Sequence, residues 1–305
     1  MSLDIESSSA ATAPPGALTP APGELAAKYG LSVSGARPGL GEYVRQLWGR
    51  RHFITSYATA RVQAQYTRAR LGQLWQVLTP LLNVAVYFLI FGLLLKVDRG
   101  IDNYIAFLVT GVFVYNFTSS SVMAGVRAVA GNLGLVRALH FPRASLPIAQ
   151  TIMQLQQLLM SMLVLIAIVL MTGEVPRPSW LLVIPALLLQ FVFNAGLAMV
   201  LARLGSKMTD LAQLMPFVLR TWMYTSGVMY SISRFTEHAP DAIRLVLQVN
   251  PTAVYIDLIR FALIDSFTAD QLPPHVWAVA LGWAVLTGVG GFVYFWKAEE
   301  QYGRG

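Results

Sequence analysis

The sequence predicts an all-α polytopic membrane protein. It has six transmembrane helices, an N-terminal amphipathic interface helix and an external re-entrant helical hairpin before the last span. Three observations carry this. Of 305 residues, 55% are hydrophobic and 12% are charged, about half the ~25% charged fraction usual in soluble domains. Five long runs contain no charged side chain, and a sixth contains one. The basic residues of the connecting segments gather on alternate loops, as the positive-inside rule requires of a polytopic chain. This composition excludes a water-soluble enzyme. The absence of cysteine removes disulfides and thiolate metal sites. The net charge of +7 is read by side of the membrane, not as a nucleic-acid signal.

In chain order, residues 1–38 are rich in Ala, Ser, Pro and Gly (ATAPPGALTPAPG). Such a tract cannot bury enough apolar surface to offset its ordering entropy, and it reads as a disordered cytoplasmic tail. It lacks the basic start and the apolar run of a signal peptide. Residues 39–73 form the interface helix: Leu40, Tyr43, Val44, Leu47 and Trp48 share one helical face, with Arg45, Arg50 and Arg51 between and beyond them. That face suits either the membrane surface or a protein partner.

The six-span domain covers 74–297. Its uncharged runs are Leu74 to Leu95, Tyr104 to Ala124, Leu146 to Met171, Trp180 to Leu201 and Val276 to Trp296, each long enough to cross a ~30 Å core. The sixth, Leu211 to Ile232, contains Arg220. The stretch Ala253 to Ile264 is short and interrupted by Asp257 and Arg260, so 233–275 reads as the external hairpin. With both termini cytoplasmic, the inside segments hold Arg61, Arg68, Arg70, Arg127, Arg137, Arg143, Arg203, Lys207, Lys297 and Arg304, whereas acidic residues predominate outside. Residues 127–145 form a cytoplasmic loop, and 298–305 a short tail.

Several chemistries lack their residues. None of the four lysines (Lys28, Lys96, Lys207, Lys297) follows a glycine, so no P-loop exists to hold ATP. The four histidines are scattered without metal-ligand spacing. A glycosyltransferase needs an acidic cluster on one face, and none is evident. An ion-coupled carrier needs an essential carboxylate, for which Asp257 is the one candidate.

Two helices carry polar stripes. Gln76, Thr79, Asn83 and Tyr87 share a face of the first span, continued by Phe91. Gln213, Phe217, Arg220, Tyr224, Gly227 and Ser231 repeat the pattern on the span containing Arg220. An Arg at mid-span costs ~3 kcal/mol on insertion scales, so both faces point at protein or at a water-filled path. A conduit and a bundle with interhelical hydrogen bonds both satisfy this. Partners open to Arg220 are backbone carbonyls, Asn or Tyr oxygens, Asp257 or an anionic substrate group.

The run YTRARLGQLWQVLTPLLNVAVYFLIFG (66–92) resembles the signature of ABC-2 type polysaccharide export permeases, in which an Arg/Tyr-rich interfacial helix leads into Leu71, Gly72, Leu74, Trp75, Leu78, Pro80 and Leu81. NLGLVRALHFPRASLPIAQ (132–150) resembles the family's cytoplasmic connection, and NPTAVYIDLIRFALI (250–264) its external-hairpin helix. The similarity spans about residues 40–297.

The resemblance implies a transporter subunit, not an enzyme. The protein would be a homodimer in the bacterial cytoplasmic membrane, paired with two ATP-binding cassette subunits. It would export a lipid-linked polysaccharide such as O-antigen, teichoic acid or galactan through a channel at the dimer interface. A drug or small-lipid exporter of the same fold is the alternative. This chain would hold no cofactor, since ATP and Mg belong to the partner, and no nucleic acid. Asn83, Tyr87, Phe88, Phe91, Arg220, Trp222 and Tyr224 would line the channel, although Arg220 matches no family motif. Arg61, Arg68 and Arg70 would meet the lipid-linker phosphate. Arg137, His140, Phe141 and Arg143 would couple to the ATPase. The Ala/Pro-rich tail and low lysine usage suggest a GC-rich actinobacterial source and hence a galactan-type cargo.

Overall fold

The computed structural model describes residues 38–66, 72, 74–94, 101–139, 141–236 and 239–302. Apart from Pro38, the N-terminal tail lies outside the described residues. Among the described residues there is no strand.

The interface segment comes as two helices, α1 (Leu40–Gly49) and α2 (Arg51–Tyr66), joined at Arg50. The apolar stripe of α1 divides between two surroundings. Tyr43 is buried with Leu47 packed beside it, the Tyr43 ring lying 5.8 Å from that of Phe292. Leu40, Val44 and Trp48 are exposed. A stripe this wide presents one edge to the protein and the other outward.

Helix α3 (Leu74–Tyr87) continues as a π-helical stretch, Phe88–Leu94. Helix α4 (Tyr104–Arg127) starts at Asn103, whose side chain accepts from the Ala106 N–H at 3.2 Å, capping one of the orphan donors of the first turn. A short α5 (Leu133–Ala138) interrupts the connection to α6 (Ser145–Met171). A 3₁₀ turn, Pro178–Leu182, leads into α7 (Val183–Lys207). Then follow α8 (Leu211–Thr225), a single turn at Ile232–Phe235, α9 (Asp241–Val249), α10 (Pro251–Leu263) and α11 (Val276–Trp296).

Four helices are long and apolar enough to cross a membrane: α4, α6, α7 with its leading turn, and α11. Helices α9 and α10 form a fifth candidate, bent by 72° at Asn250. Helix α4 is the centre of the bundle, buried along most of its length, whereas α11 is mostly exposed. Two of the four α11 glycines, Gly288 and Gly291, pack against α7. A Cβ on Gly291 would enter the α7 backbone at Gly196, and one on Gly196 would strike the backbone at Thr287, so these two helices touch backbone to backbone.

The run Leu211 to Ile232, expected as one span, breaks after 15 helical residues. Ser226 Oγ returns to Trp222 O (2.6 Å), Asn250 Nδ2 takes Thr225 O (3.0 Å), and Gly227 adopts φ +62°. Side chains from outside the helix satisfy its last carbonyls, and a left-handed glycine turns the chain away. Gly227 and Ser231 are buried past this break, so the polar stripe of α8 ends at Tyr224.

Candidate functional site

Three places bring together the residues expected to matter. The first is the pair α3 and α8. On α8, Met215 and Leu219 turn inward, and the Leu219 carbonyl accepts from Tyr115 Oη. Gln213, Phe217, Arg220 and Tyr224 turn outward; Phe217 is 71% exposed. Tyr87 donates to Met223 Sδ at 3.7 Å and lies within electrostatic range of Tyr224 and Arg220. Arg220 makes no hydrogen bond or ion pair within the described residues. Asp257, one of the partners open to it, is engaged by Arg260 instead. Phe88 and Phe91 are half-buried against the main core.

The expected channel residues therefore separate. Tyr87, Arg220 and Tyr224 gather on one face. Asn83 lines a cavity against α4 and α6. Trp222 uses its indole N–H to hold Asn250 Oδ1 at 2.9 Å, tying α8 to the elbow between α9 and α10.

The second place lies between α10, α4 and the turn after α8, where Arg260 of α10 is 1% exposed. Its guanidinium donates to Gly227 O (2.9 Å), Val228 O (2.8 Å) and Phe107 O (3.2 Å), meets Asp257 at 3.3 Å, and lies 3.3 Å from the Phe107 ring centroid. Gly111 makes room for it: a Cβ there would sit 2.6 Å from Arg260 Nη2. Asp257, the carboxylate a carrier would need, is thus a buried structural partner. The sequence carried a signal for Arg260, a charge inside an apolar run, which is costly unless paired. Nearby, Glu174 accepts from Asn103 Nδ2 and from the Asp265 N–H, both at 2.8 Å.

The third place is the segment after α4. Arg61 donates to Tyr57 Oη (2.8 Å) and to Asn132 Oδ1 (2.6 Å), so it braces the start of the loop 127–145 from α2. Arg68, Arg70 and His140 lie outside the described residues. Arg137 is exposed on α5. Phe141 packs on Phe53 of α2 at 5.6 Å between ring centroids.

Arg143 is tied to Glu299 twice: its backbone N–H donates to the carboxylate at 2.9 Å, and its guanidinium to the Glu299 carbonyl. Glu299 also accepts from Tyr43 Oη at 2.8 Å, and that hydroxyl accepts from the Ala144 N–H at 3.1 Å. One cluster thus joins α1, the loop before α6 and the segment after α11. Burial pushes the Glu299 carboxyl above its ordinary range, against the Arg143 N–H, the Tyr43 hydroxyl and the Arg143 charge, which lower it. Burial and the Glu299 charge raise the Tyr43 hydroxyl, which keeps it a donor. No sequence pattern pointed to Glu299, whose partners lie 156 and 256 positions away.

A bundle of apolar helices with one bent pair, and a loop braced to α1, α2 and the segment after α11, defines a polytopic membrane protein. The profile of the ABC-2 type transporter family matches residues 55–264, and the chain belongs to that family. Its similarity to the O-antigen export system permease protein RfbA of Klebsiella pneumoniae is 26% identity over 196 residues, 64% of this chain and 73% of the relative. RfbA of Myxococcus xanthus is likewise 26% identical over 208 residues, 68% of this chain and 78% of that protein. The polysialic acid transport protein KpsM of Escherichia coli is 20% identical over 210 residues, 68% and 80%.

Proposed function

We propose that this chain is the membrane half of an ATP-driven exporter of lipid-linked polysaccharide. In this reading it is a six-span homodimer of a bacterial cytoplasmic membrane with both termini inside. Two separate ATP-binding subunits bind ATP and Mg and dock on the loop 127–145. The sugar chain passes between the α3 and α8 faces of the two protomers, and the helices α9 and α10 cap the path outside. A galactan-type cargo is the reading the composition favours.

The observation that supports this best is the outward face of α8. Phe217, Arg220 and Tyr224 are exposed on it, and Arg220 lacks a partner within the described residues. Polar and charged groups at membrane depth face protein or water, so a single protomer leaves this face incomplete. A second copy and a hydrated sugar chain would both complete it. Aromatic rings beside hydrogen-bonding groups suit a polysaccharide, since rings offer weak, sequence-tolerant contact.

The test is co-purification with the ATP-binding subunit encoded beside the gene. Two copies of each chain, with ATP turnover changed by lipid-linked glycan, is the expected result. A chain that purifies alone, and exports without ATP, overturns the reading. Because the chain has no cysteine, single cysteines placed in each loop report their side by impermeant labelling. Labelling of Asp241→Cys from the cytoplasm alone would overturn the six-span orientation.

A further inference from the structure

A cavity of 510 Å³ lies within one protomer, between the end of α2 and helices α3, α4 and α6. It is separate from the outward face of α8. Six polar side chains line it without a hydrogen-bond partner in the described residues: Thr79, Asn83, Asn116, Ser120, Gln154 and Ser161. Two of them are more than nine-tenths buried, Gln154 at 9% and Ser161 at 6% exposure. At the end nearest α2, Gln157 donates to Gln65 at 2.9 Å, closing α6 onto α2. Trp75, Phe113 and Phe117 supply rings among the polar groups, and among the described residues no ionisable side chain lines the cavity.

Unpaired amides and hydroxyls at membrane depth are costly unless something satisfies them. Amides offer both donors and acceptors, and hydroxyls do the same. An anion would find no cation among the described lining residues, and a buried unpaired charge is strongly disfavoured. The volume falls within the ~300–1,000 Å³ of small-molecule sites, which combine rings with a few placed polar groups. A ligand that matches this lining carries several hydroxyls, no charge and an apolar C–H face for the rings.

We infer that this cleft binds an uncharged polyhydroxyl group, a sugar ring presented by a lipid-anchored molecule. Two sources share that chemistry: the sugar of the exported chain, and the headgroup of a membrane glycolipid. Binding does not depend on the export reading; only the choice of source does.

The probe is a photoreactive octyl glucoside, compared with a photoreactive octyl phosphate of the same chain length, on protein in phosphatidylcholine nanodiscs. The expected result is labelling within residues 113–120 and 154–161. It falls at least tenfold under excess unlabelled octyl glucoside and is unchanged by octyl phosphate. Asn116→Leu and Gln154→Leu should reduce labelling at least fivefold. Ser120→Ala and Ser161→Ala, which remove only a hydroxyl, should reduce it about twofold and guard against misfolding. Equal labelling by both headgroups, labelling elsewhere only, or insensitivity to all four variants overturns the inference. The same variants are then assayed for export. Loss of export in parallel with labelling assigns the site to the cargo; lost labelling with normal export assigns it to a glycolipid.

Discussion

Two arginines placed in or beside apolar helices meet opposite fates in this protein. Arg260 is buried, satisfied by three carbonyls and one carboxylate, and stacked on Phe107. Arg220 is exposed on α8, near the hydroxyl of Tyr87, and makes no hydrogen bond or ion pair within the described residues. The same side chain therefore serves architecture at one site and remains available at the other. Burial and partner count, not residue type, separate them. A charge whose every donor is used by its own chain holds the fold. A charge left outward in an apolar bundle waits for something the single protomer does not contain.

The comparison breaks most sharply at Arg260. Arg260→Met should strand Asp257, the Phe107 carbonyl of α4 and the carbonyls of Gly227 and Val228 in the turn after α8, a loss of ~3–5 kcal/mol by analogy with other broken buried pairs. Melting of the purified protein in detergent reads it, with the doubly substituted Asp257→Leu/Arg260→Met recovering part of the loss. Retained stability in Arg260→Met would mean that these buried contacts do not hold the fold. Gly111→Ala tests the same pocket by crowding. The new methyl must displace the guanidinium or the Val228 carbonyl, each under 3 Å away, at ~1–3 kcal/mol. The same melt checks it.

The difference in partners was only half legible in the sequence. Periodicity and hydropathy located the long apolar runs because a span is a local property. The end of α8 was not local: Asn250 reaches back 25 positions to its last carbonyl, and Arg260 reaches back 33 to the turn that follows, so an apolar run of span length folded as a helix of 15 residues. The two polar stripes were visible as faces, but a face does not name its neighbour. Thr79 and Asn83 turned to the α4–α6 cavity, while Tyr87, two turns above Thr79, turned to α8. Likewise the basic residues of 127–145 were legible as charge. That Arg143 is held by Glu299 is a tertiary fact with no pattern to announce it.

At Arg220 the expected effect on stability is small and the effect on function large. Arg220→Gln removes an exposed charge with no partner in the described residues, so melting should move by no more than ~0.5 kcal/mol, as for other surface changes. Export, read as surface glycan per cell at equal permease abundance, should fall severalfold. Arg220→Lys keeps the charge and should recover part of it. Destabilisation of Arg220→Gln to the extent of Arg260→Met would erase the contrast between the two sites.

The subtlest effect, one of pH dependence, is expected at Glu299, where the same logic runs at a buried carboxylate. Its carboxyl is raised in the folded protein, chiefly by burial. A raised carboxyl means that folding favours the protonated form. The associated stabilisation is complete below the unfolded value of ~4.3 and is lost as pH rises through the folded value. Glu299→Gln keeps an oxygen for the Arg143 N–H, and its amide can donate to the Tyr43 hydroxyl in place of accepting from it. It should therefore cost little at pH 4 and become relatively more stable than the parent as pH rises toward 7.5, by ~1 kcal/mol or less. Glu299→Ala, which leaves the Tyr43 hydroxyl and the Arg143 N–H unpaired, should be worse at every pH. Parallel melting curves for the parent and Glu299→Gln from pH 4 to 7.5 would mean that Arg143 and Tyr43 fully offset the burial. Glu299 would then belong with Arg260, a charge whose partners cover its cost.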